Sequence, residues 1–433
     1  MSDFIQWFLA PLNSWYIHSG LASGANLIWS TKLLFWYLVL VFLRYEFPDF
    51  ALWAGYILRP KSFEPESPSP VLERKPLVSV LIAGRNPGYS IVTCIRSVLN
   101  STYQNTEIIF ADDHSTDNSV TLARKFEGTG RVRVCENAYH SGKPANLNVA
   151  LMLARGEFIF VLDADSQVYP DAIEKMLPYF DDEQVGGVSP IILVRNGKAS
   201  MLTAFQRIEY VMTYALNQMW RDRLGIMMIL PGMGTFFRAK AMRSVGGYDM
   251  GLGDDTDITT RLRKTQWKLR LALRGRISTD VPVTLSHLIR QRSRWVRNMV
   301  KMRVRKHRDL GSFRYGWVNA LAFYELVFNR VIHPISIVVL LLYTHYIWGL
   351  NAPILIGSLY WYSTILLALK FFIGRDMTLG EPGMSAFLLV PFYFLYRVVL
   401  LAVQVVNVLR ELLMIYPWHP YVPRRIWNSI PHH

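Results

Sequence analysis

The sequence predicts an α/β domain of the doubly wound kind, inserted between the transmembrane helices of a multi-pass membrane protein. Three observations carry this reading. In the middle of the chain, short apolar runs alternate with helical patterns, and the runs stop at a glycine or an aspartate. On both sides of that middle lie stretches apolar enough to span a bilayer. The chain is also strongly basic, with 47 Lys and Arg against 32 Asp and Glu for a net charge of +15, while 51% of its residues are hydrophobic and 13% aromatic. Because the positive charge borders the apolar segments, it fits a membrane surface or an anionic substrate. A nucleic-acid partner is not expected, since the basic residues belong to no recognisable reading module. Cys94 and Cys135 fall in the polar middle, as small core residues of a reduced, cytosolic domain would.

Taken in order, residues 1–22 mix Phe4, Trp7, Phe8 and Trp15 with Pro11 and Asn13, and an interfacial helix is expected rather than a signal peptide. Leu27–Phe47 reads as the first span, with Lys32 snorkelling outward and Arg44 marking a cytosolic exit. Ala51–Leu58 is too short to cross and is expected on the surface. These segments form an N-terminal membrane region, 1–60. Four prolines and several charges make Lys61–Pro76 a linker. Residues 77–311 then read as the cytosolic domain. Its apolar runs Val78–Ile82, Glu107–Phe110, Val132–Val134 and Phe158–Leu162 are expected as strands, with helices at about 89–100, 117–127, 142–154 and 170–179. This alternation implies a mostly parallel sheet, with ligands gathered at the carboxyl ends of its strands. Gly84, Asp112, Asp113, Asp163 and Asp165 all fall at such ends.

Beyond Gly311 the chain turns apolar. Trp317–Ile332 contains Glu325, Asn329 and Arg330, so an amphipathic interfacial helix is expected there. Ile335–Leu350, Ile354–Ile373 and Met384–Leu409 read as spans, completing a membrane region of 312–409 before a tail of 410–433. Arg397, near the middle of the last span, should face a polar cavity or a partner rather than lipid. One span before the domain and three after it put the C-terminus outside, whereas Arg410, Arg424 and Arg425 argue for a cytosolic tail.

Several motifs carry chemistry. Asp163-Ala164-Asp165 follows a strand, and two carboxylates at that spacing can converge on one hard divalent cation; alone, the pattern also serves turns. Asp112-Asp113-His114-Ser115-Thr116-Asp117 can hydrogen-bond a nucleobase or ribose, or form a turn leading to a helix capped by Asp117. Gly253-Asp254-Asp255-Thr256-Asp257 precedes a helical pattern. Its acidic residues suit either the helix dipole or a general base. In Gln291-Arg292-Ser293-Arg294-Trp295, the residues Gln291, Arg294 and Trp295 share one helix face, offering an amide, a guanidinium for phosphate and a flat ring for a sugar.

Together these motifs resemble the processive, membrane-embedded glycosyltransferases of family 2, the group of cellulose, chitin and hyaluronan synthases and the alginate polymerase. The resemblance covers Val78 to Trp295 in order and spacing: VSVLIAGRN, STYQNTEIIFADDHSTD, HSGKPANLNVAL, VLDADSQ, PGMGTFFRAKAMRSVGGYD, GDDTDIT and QRSRW. Two departures lie after the first strand, where Arg85 replaces an aromatic residue and Pro87-Gly88 replaces an acidic pair. The resemblance implies a GT-A-like domain. It assigns Asp112, Asp113, Lys143, Asp163 and Arg294 to the donor, Asp165 to a Mg2+ or Mn2+ ion, Asp255 to the general base, and Gln291 and Trp295 to the acceptor. It further implies a UDP- or GDP-sugar donor, a growing polysaccharide acceptor, accessory export proteins and an inner or plasma membrane location. The alternatives are a transferase that adds one sugar to a membrane lipid and an inactive export subunit. The intact Asp163, Asp165, Asp255 and Trp295 speak against the latter.

Overall fold

The computed structural model describes residue 32 and residues 35–413, apart from 60–62, 66–67, 250–252, 349–351 and 379. The expected N-terminal interfacial helix, most of the first span's beginning, and the tail that holds Arg424 and Arg425 lie outside the described residues. From residue 35 the chain is helical, passes through a π turn at Phe42–Glu46 and continues as α1 (Phe47–Leu58). Ala51–Leu58 is therefore not a separate surface segment. The wide π turn carries the helix past Pro48, whose missing N–H falls in the first turn of α1. Its acidic residues are neutralised from a distant part of the chain, Lys370 lying 2.8 Å from both Glu46 and Asp49.

The stretch expected as a linker also has structure. Pro70–Arg74 forms a short helix capped by Ser69, and Asp181 accepts hydrogen bonds from Ser69 Oγ and Val71 N at 3.0 and 2.9 Å. This pins the linker's end to the domain that follows.

That domain is built on one eight-stranded sheet in the order β3-β2-β1-β4-β7-β6-β8-β5. Its strands are β1 (Val78–Gly84), β2 (Thr106–Asp112), β3 (Val132–Glu136), β4 (Phe158–Asp163), β5 (Gln167–Val168), β6 (Val185–Val194), β7 (Thr235–Arg238) and β8 (Lys268–Thr279). The first four strands are parallel, as expected. The other half is mixed: β7 runs antiparallel to β4 and β6, whereas β6 and β8 are parallel. Helices α2 (Ser90–Leu99), α3 (Ser119–Arg124), α4 (Lys143–Leu153) and α5 (Ala172–Met176) follow the expected alternation.

β1, β2 and β4 are near-continuous apolar runs because both faces of the sheet are covered. On one face lies a core with Val80, Ile82, Phe110, Phe160 and Phe236; on the other, Leu81, Ile109, Val161 and Phe237. Each such side chain, fully buried, contributes roughly 1.5–3 kcal/mol. The second core does not stop at the domain. It continues through α6 (Met201–Val211) into Phe371, Val390 and Tyr396 of the apolar C-terminal region, so domain and membrane region share one packed interior.

After α7 (Asn217–Arg223), α8 (Asp254–Lys264) and α9 (Leu285–Met299) come the apolar helices. α10 (Trp317–Val327), a π turn at Phe328–Ile332 and α11 (His333–Trp348) run on as one helix, so the segment expected to lie in the interface is the first part of a helix long and apolar enough to cross a membrane. Two of its polar residues, Glu325 and Asn329, face protein. Glu325 pairs with Arg44 and, at 2.9 Å, with Arg221, and it also accepts from Asn329. α12 (Ala352–Met377), a 3-10 segment at Met384–Phe392 and α13 (Tyr393–Leu412) follow. Among the described residues three helices are long and apolar enough to cross a membrane: Trp317–Tyr343, Ile356–Met377 and Met384–Leu412. Arg397 on α13 is exposed.

Candidate active site

Strand register places the acidic motifs side by side. Gly84, at the end of β1, is level with Asp112 on β2, and Ala83 is level with Asp163 on β4. A side chain at Gly84 would meet Ala164 Cβ at 2.9 Å, so glycine lets the Asp163-Ala164-Asp165 turn close over the strand end.

Asp112 and Asp113 are buried, and their carboxylates are taken up by their own surroundings. Asp112 accepts from Ser115 N at 2.8 Å and from Ser115 Oγ at 2.5 Å. Asp113 accepts from Ser141 N at 2.8 Å and Gly142 N at 3.1 Å, and it contacts His140 Nδ1 at 2.8 Å. Asn86 Oδ1 accepts from Thr116 N at 2.8 Å, and Gly88 N donates to Asp117 Oδ2 at 3.0 Å. Three loops are thus laced into one rim, and the two aspartates act on it through loop shape. Asp117 serves the turn, accepting from Ser119 N at 3.0 Å, one residue before the helix cap Asn118.

Lys143, at the start of α4, gathers the centre. Its ammonium pairs with Asp163 and donates to the Gly232 carbonyl at 3.1 Å. Gly232 in turn abuts Asp255, whose Cβ lies 3.5 Å from where a Gly232 side chain would begin. Asp163, Lys143 and Asp255, from three separate motifs, therefore meet around one loop. The neighbouring carboxylates hold the Lys143 ammonium well above its usual range against the opposing effect of burial. Burial and the adjacent Asp254 charge push the Asp255 carboxyl up. Asp165 keeps exposed surface but sits in a concave, crowded place. Desolvation there and repulsion from Asp163 push it up to about 6.

Two crowded carboxylates form an all-oxygen donor pair that suits a hard divalent ion. Among the described residues no group of three or more His, Cys, Asp or Glu could hold a metal, so such an ion would need further oxygens from its ligand or from water. A groove of about 530 Å³ lies behind this turn, lined in part by Arg195, which donates to the Asp165 carbonyl at 3.2 Å; the acidic motif side chains do not line it.

α9 carries the third part. Thr284 caps it, its Oγ1 accepting from His287 N at 3.4 Å. Its C-terminal half lies against the start of α8, where a side chain at Gly253 would meet Asn298 Cβ at 3.2 Å and Met302 Cγ at 3.0 Å. Buried oxygens of Gln291, Asn298 and Asp254 have no hydrogen-bond donor among the described residues. Buried acceptors of this kind call for a donor-bearing ligand or water. Trp295 is half-buried on the core, with the Arg292 guanidinium 4.3 Å from its ring. Burial pushes the Tyr214 phenol up to about 12, and its ring packs edge-on against Tyr210, their centroids 5.2 Å apart.

Several of these residues lay outside the sequence expectations. Gly232 sits in a segment whose family resemblance was already visible. Asn298 falls seven residues after Gln291, on the same helix stripe, and could have been found by that spacing. Glu209, Tyr214 and the environment of Arg292 depend on tertiary contacts and carry no local signal.

Comparison with known proteins accords with this geometry. Residues 79–246 match the model of glycosyl transferase family 2. The chain is 31% identical over 244 residues to a beta-monoglucosyldiacylglycerol synthase of Nostoc sp., covering 55% of this chain and 51% of that protein. It is 29% identical over 276 residues to the poly-beta-1,6-N-acetyl-D-glucosamine synthase of Staphylococcus aureus, covering 61% of this chain and 64% of the relative. The chain thus spans about half to two thirds of the length of these relatives. A mannosyltransferase from Pyrobaculum calidifontis, solved in complex with GDP-Man and Mn2+, shares the fold with a TM-score of 0.58 at 18% identity, over 85% of this chain and 96% of that one. The domain built on β1–β4 and the segments up to β7 is thus similar to glycosyl transferase family 2 over residues 79–246.

Proposed function

We propose that this protein is an inverting, processive glycosyltransferase. It extends a β-linked polysaccharide from a nucleotide-sugar donor and passes the product through its own membrane helices. The observation that carries this reading is the meeting of Asp255, Lys143 and Asp163 beside a helix, α9, that is fastened to the last membrane helix. Arg297 on α9 pairs with Glu411 on α13 at 2.7 Å, and Asn407 donates to Ser293 Oγ at 3.0 Å.

In this account the laced rim of Asp112 and Asp113 shapes the nucleotide pocket. Lys143 and Arg294 face the diphosphate, and Asp163 lies near the donor sugar. Asp165 would hold Mg2+ or Mn2+, which supplies charge neutralisation at the leaving diphosphate. Asp255 takes the proton from the acceptor hydroxyl, opposite the departing nucleotide, and its raised pKa strengthens it as a base. Gln291 and Trp295 hold the acceptor. The Mn2+ and GDP-Man of the Pyrobaculum mannosyltransferase support a divalent ion and a nucleotide-sugar donor. We place the protein in the inner or plasma membrane with this domain in the cytosol.

A second reading, transfer of one sugar to a membrane lipid, is favoured by the name of the Nostoc relative. To decide, the protein reconstituted in lipid bilayers is offered a panel of UDP- and GDP-sugars with Mg2+ or Mn2+. Nucleotide release with a polymer ladder supports the first reading. A single-sugar lipid product transfers support to the second, and neither product with any donor rejects both.

A further inference from the structure

Helix α9 presents two arginines around Trp295, and the family motif assigns a task to only one. Arg294 belongs to the shared helix face. Arg292 points elsewhere: its guanidinium stands 4.3 Å from the Trp295 ring centroid and 6.0 Å from that of Tyr210. At that distance a guanidinium lies against an aromatic face, where the ring's negative quadrupole holds it. Arg292 is itself held, pairing with Glu209 Oε2 on α6 at 2.8 Å. The same Glu209 oxygen accepts from Tyr396 Oη on α13 at 2.5 Å. Tyr396 is buried and packs on Phe205, their ring centroids 5.6 Å apart. The chain Trp295, Arg292, Glu209, Tyr396 therefore runs unbroken from α9 through α6 to the last membrane helix.

We propose that Arg292, clamped by Glu209 and Tyr396, is a positioning residue that covers one face of the Trp295 indole and reserves the other for the acceptor. The physical basis is that a half-buried, ion-paired guanidinium is held in place by its partner, so it fixes the ring's tilt and removes one of its two stacking surfaces. An acceptor sugar is then presented from a single side, and the ring's orientation answers to α13. The proposal rests on the reading of Trp295 as the acceptor platform.

The test uses Glu209→Gln, Tyr396→Phe and Arg292→Lys in bilayer-reconstituted protein, with the sugar nucleotide that supports nucleotide release by the unmodified enzyme. Donor affinity is measured by calorimetry and product length with labelled donor. Glu209→Gln and Arg292→Lys should shorten the product by about three- to tenfold, the range a desolvated cation–π contact supports, with donor affinity held within about twofold. Tyr396→Phe should show a smaller effect in the same direction, and it covers the case in which a charge-changing variant folds poorly. Unchanged product length in a folded Glu209→Gln protein overturns the proposal, as does a loss of donor affinity equal to the loss of length. Should the unmodified enzyme add only one sugar to a lipid, the polymerase reading falls while this one stays testable, with KM for the lipid acceptor replacing product length.

Discussion

The two walls of the cleft are built on opposite principles. On the proposed donor side, at the ends of β1 and β2, the polar groups satisfy one another: Asp112 closes its own turn, and Asp113 binds the loop before α4. On the proposed acceptor side, where α8 meets α9, oxygens of Asp254, Gln291 and Asn298 are buried without donors among the described residues, and the supporting contacts come from the apolar C-terminal helices. The donor wall is preorganised by short-range hydrogen bonds. The proposed acceptor wall is held by contacts far away along the chain. In our account, then, donor binding and acceptor handling are separable, and substitutions can be used to pull them apart.

The largest effect is expected at the junction of the walls. Asp255→Asn keeps size and removes basicity, so transfer should fall by roughly 10²–10⁴-fold while donor affinity stays near normal. Calorimetry beside a transfer assay checks this, and near-normal synthesis by the variant would refute the assignment. Next comes Asp165→Ala, which should weaken donor binding and metal dependence together, by about 10–100-fold. Chelator should silence the unmodified protein reversibly; full activity in excess chelator would end the metal claim.

A smaller effect is expected from Asp113→Ala. Losing the acceptor for Ser141 N and Gly142 N leaves those groups to water and costs the rim about 1–3 kcal/mol. Donor affinity should drop, with transfer per bound donor unchanged. If the transfer step slowed instead, the donor wall would not be the independent unit described. The smallest change is one of pH. Burial and Asp254 raise the pKa of Asp255, so activity should be present above that raised value and be lost as pH falls through it. Asp254→Asn removes one of the two causes and should move the acid limb of the rate profile to lower pH. An unmoved limb would mean that Asp255 does not govern it.

The same contrast accounts for what could be read from the chain alone. Asp163 was legible because strand ends are local and it ends β4; Lys143, which begins α4, was singled out only by the family resemblance. β8 was missed although charged and apolar residues alternate along Lys268–Thr279 as they do in a half-exposed strand, because only the continuous apolar runs were followed. The long apolar helix beginning at Trp317 was read as two segments because Glu325 and Arg330 look solvent-seeking; nothing local reveals that Arg44 and Arg221 lie opposite Glu325. Arg292 was visible as part of a motif, but its partners Glu209 and Tyr396 lie 83 and 104 residues away along the chain, beyond the reach of any periodicity.

The claim that the two walls are separable is tested most directly by donor calorimetry and elongation measured side by side on Trp295→Ala and Arg294→Ala, at matched amounts of folded protein. The account predicts that Trp295→Ala abolishes elongation with donor affinity nearly unchanged, because the ring offers area to a sugar's C–H face. Arg294→Ala, which removes a guanidinium from the diphosphate, should weaken donor binding. Equal loss of donor affinity in both variants would contradict it.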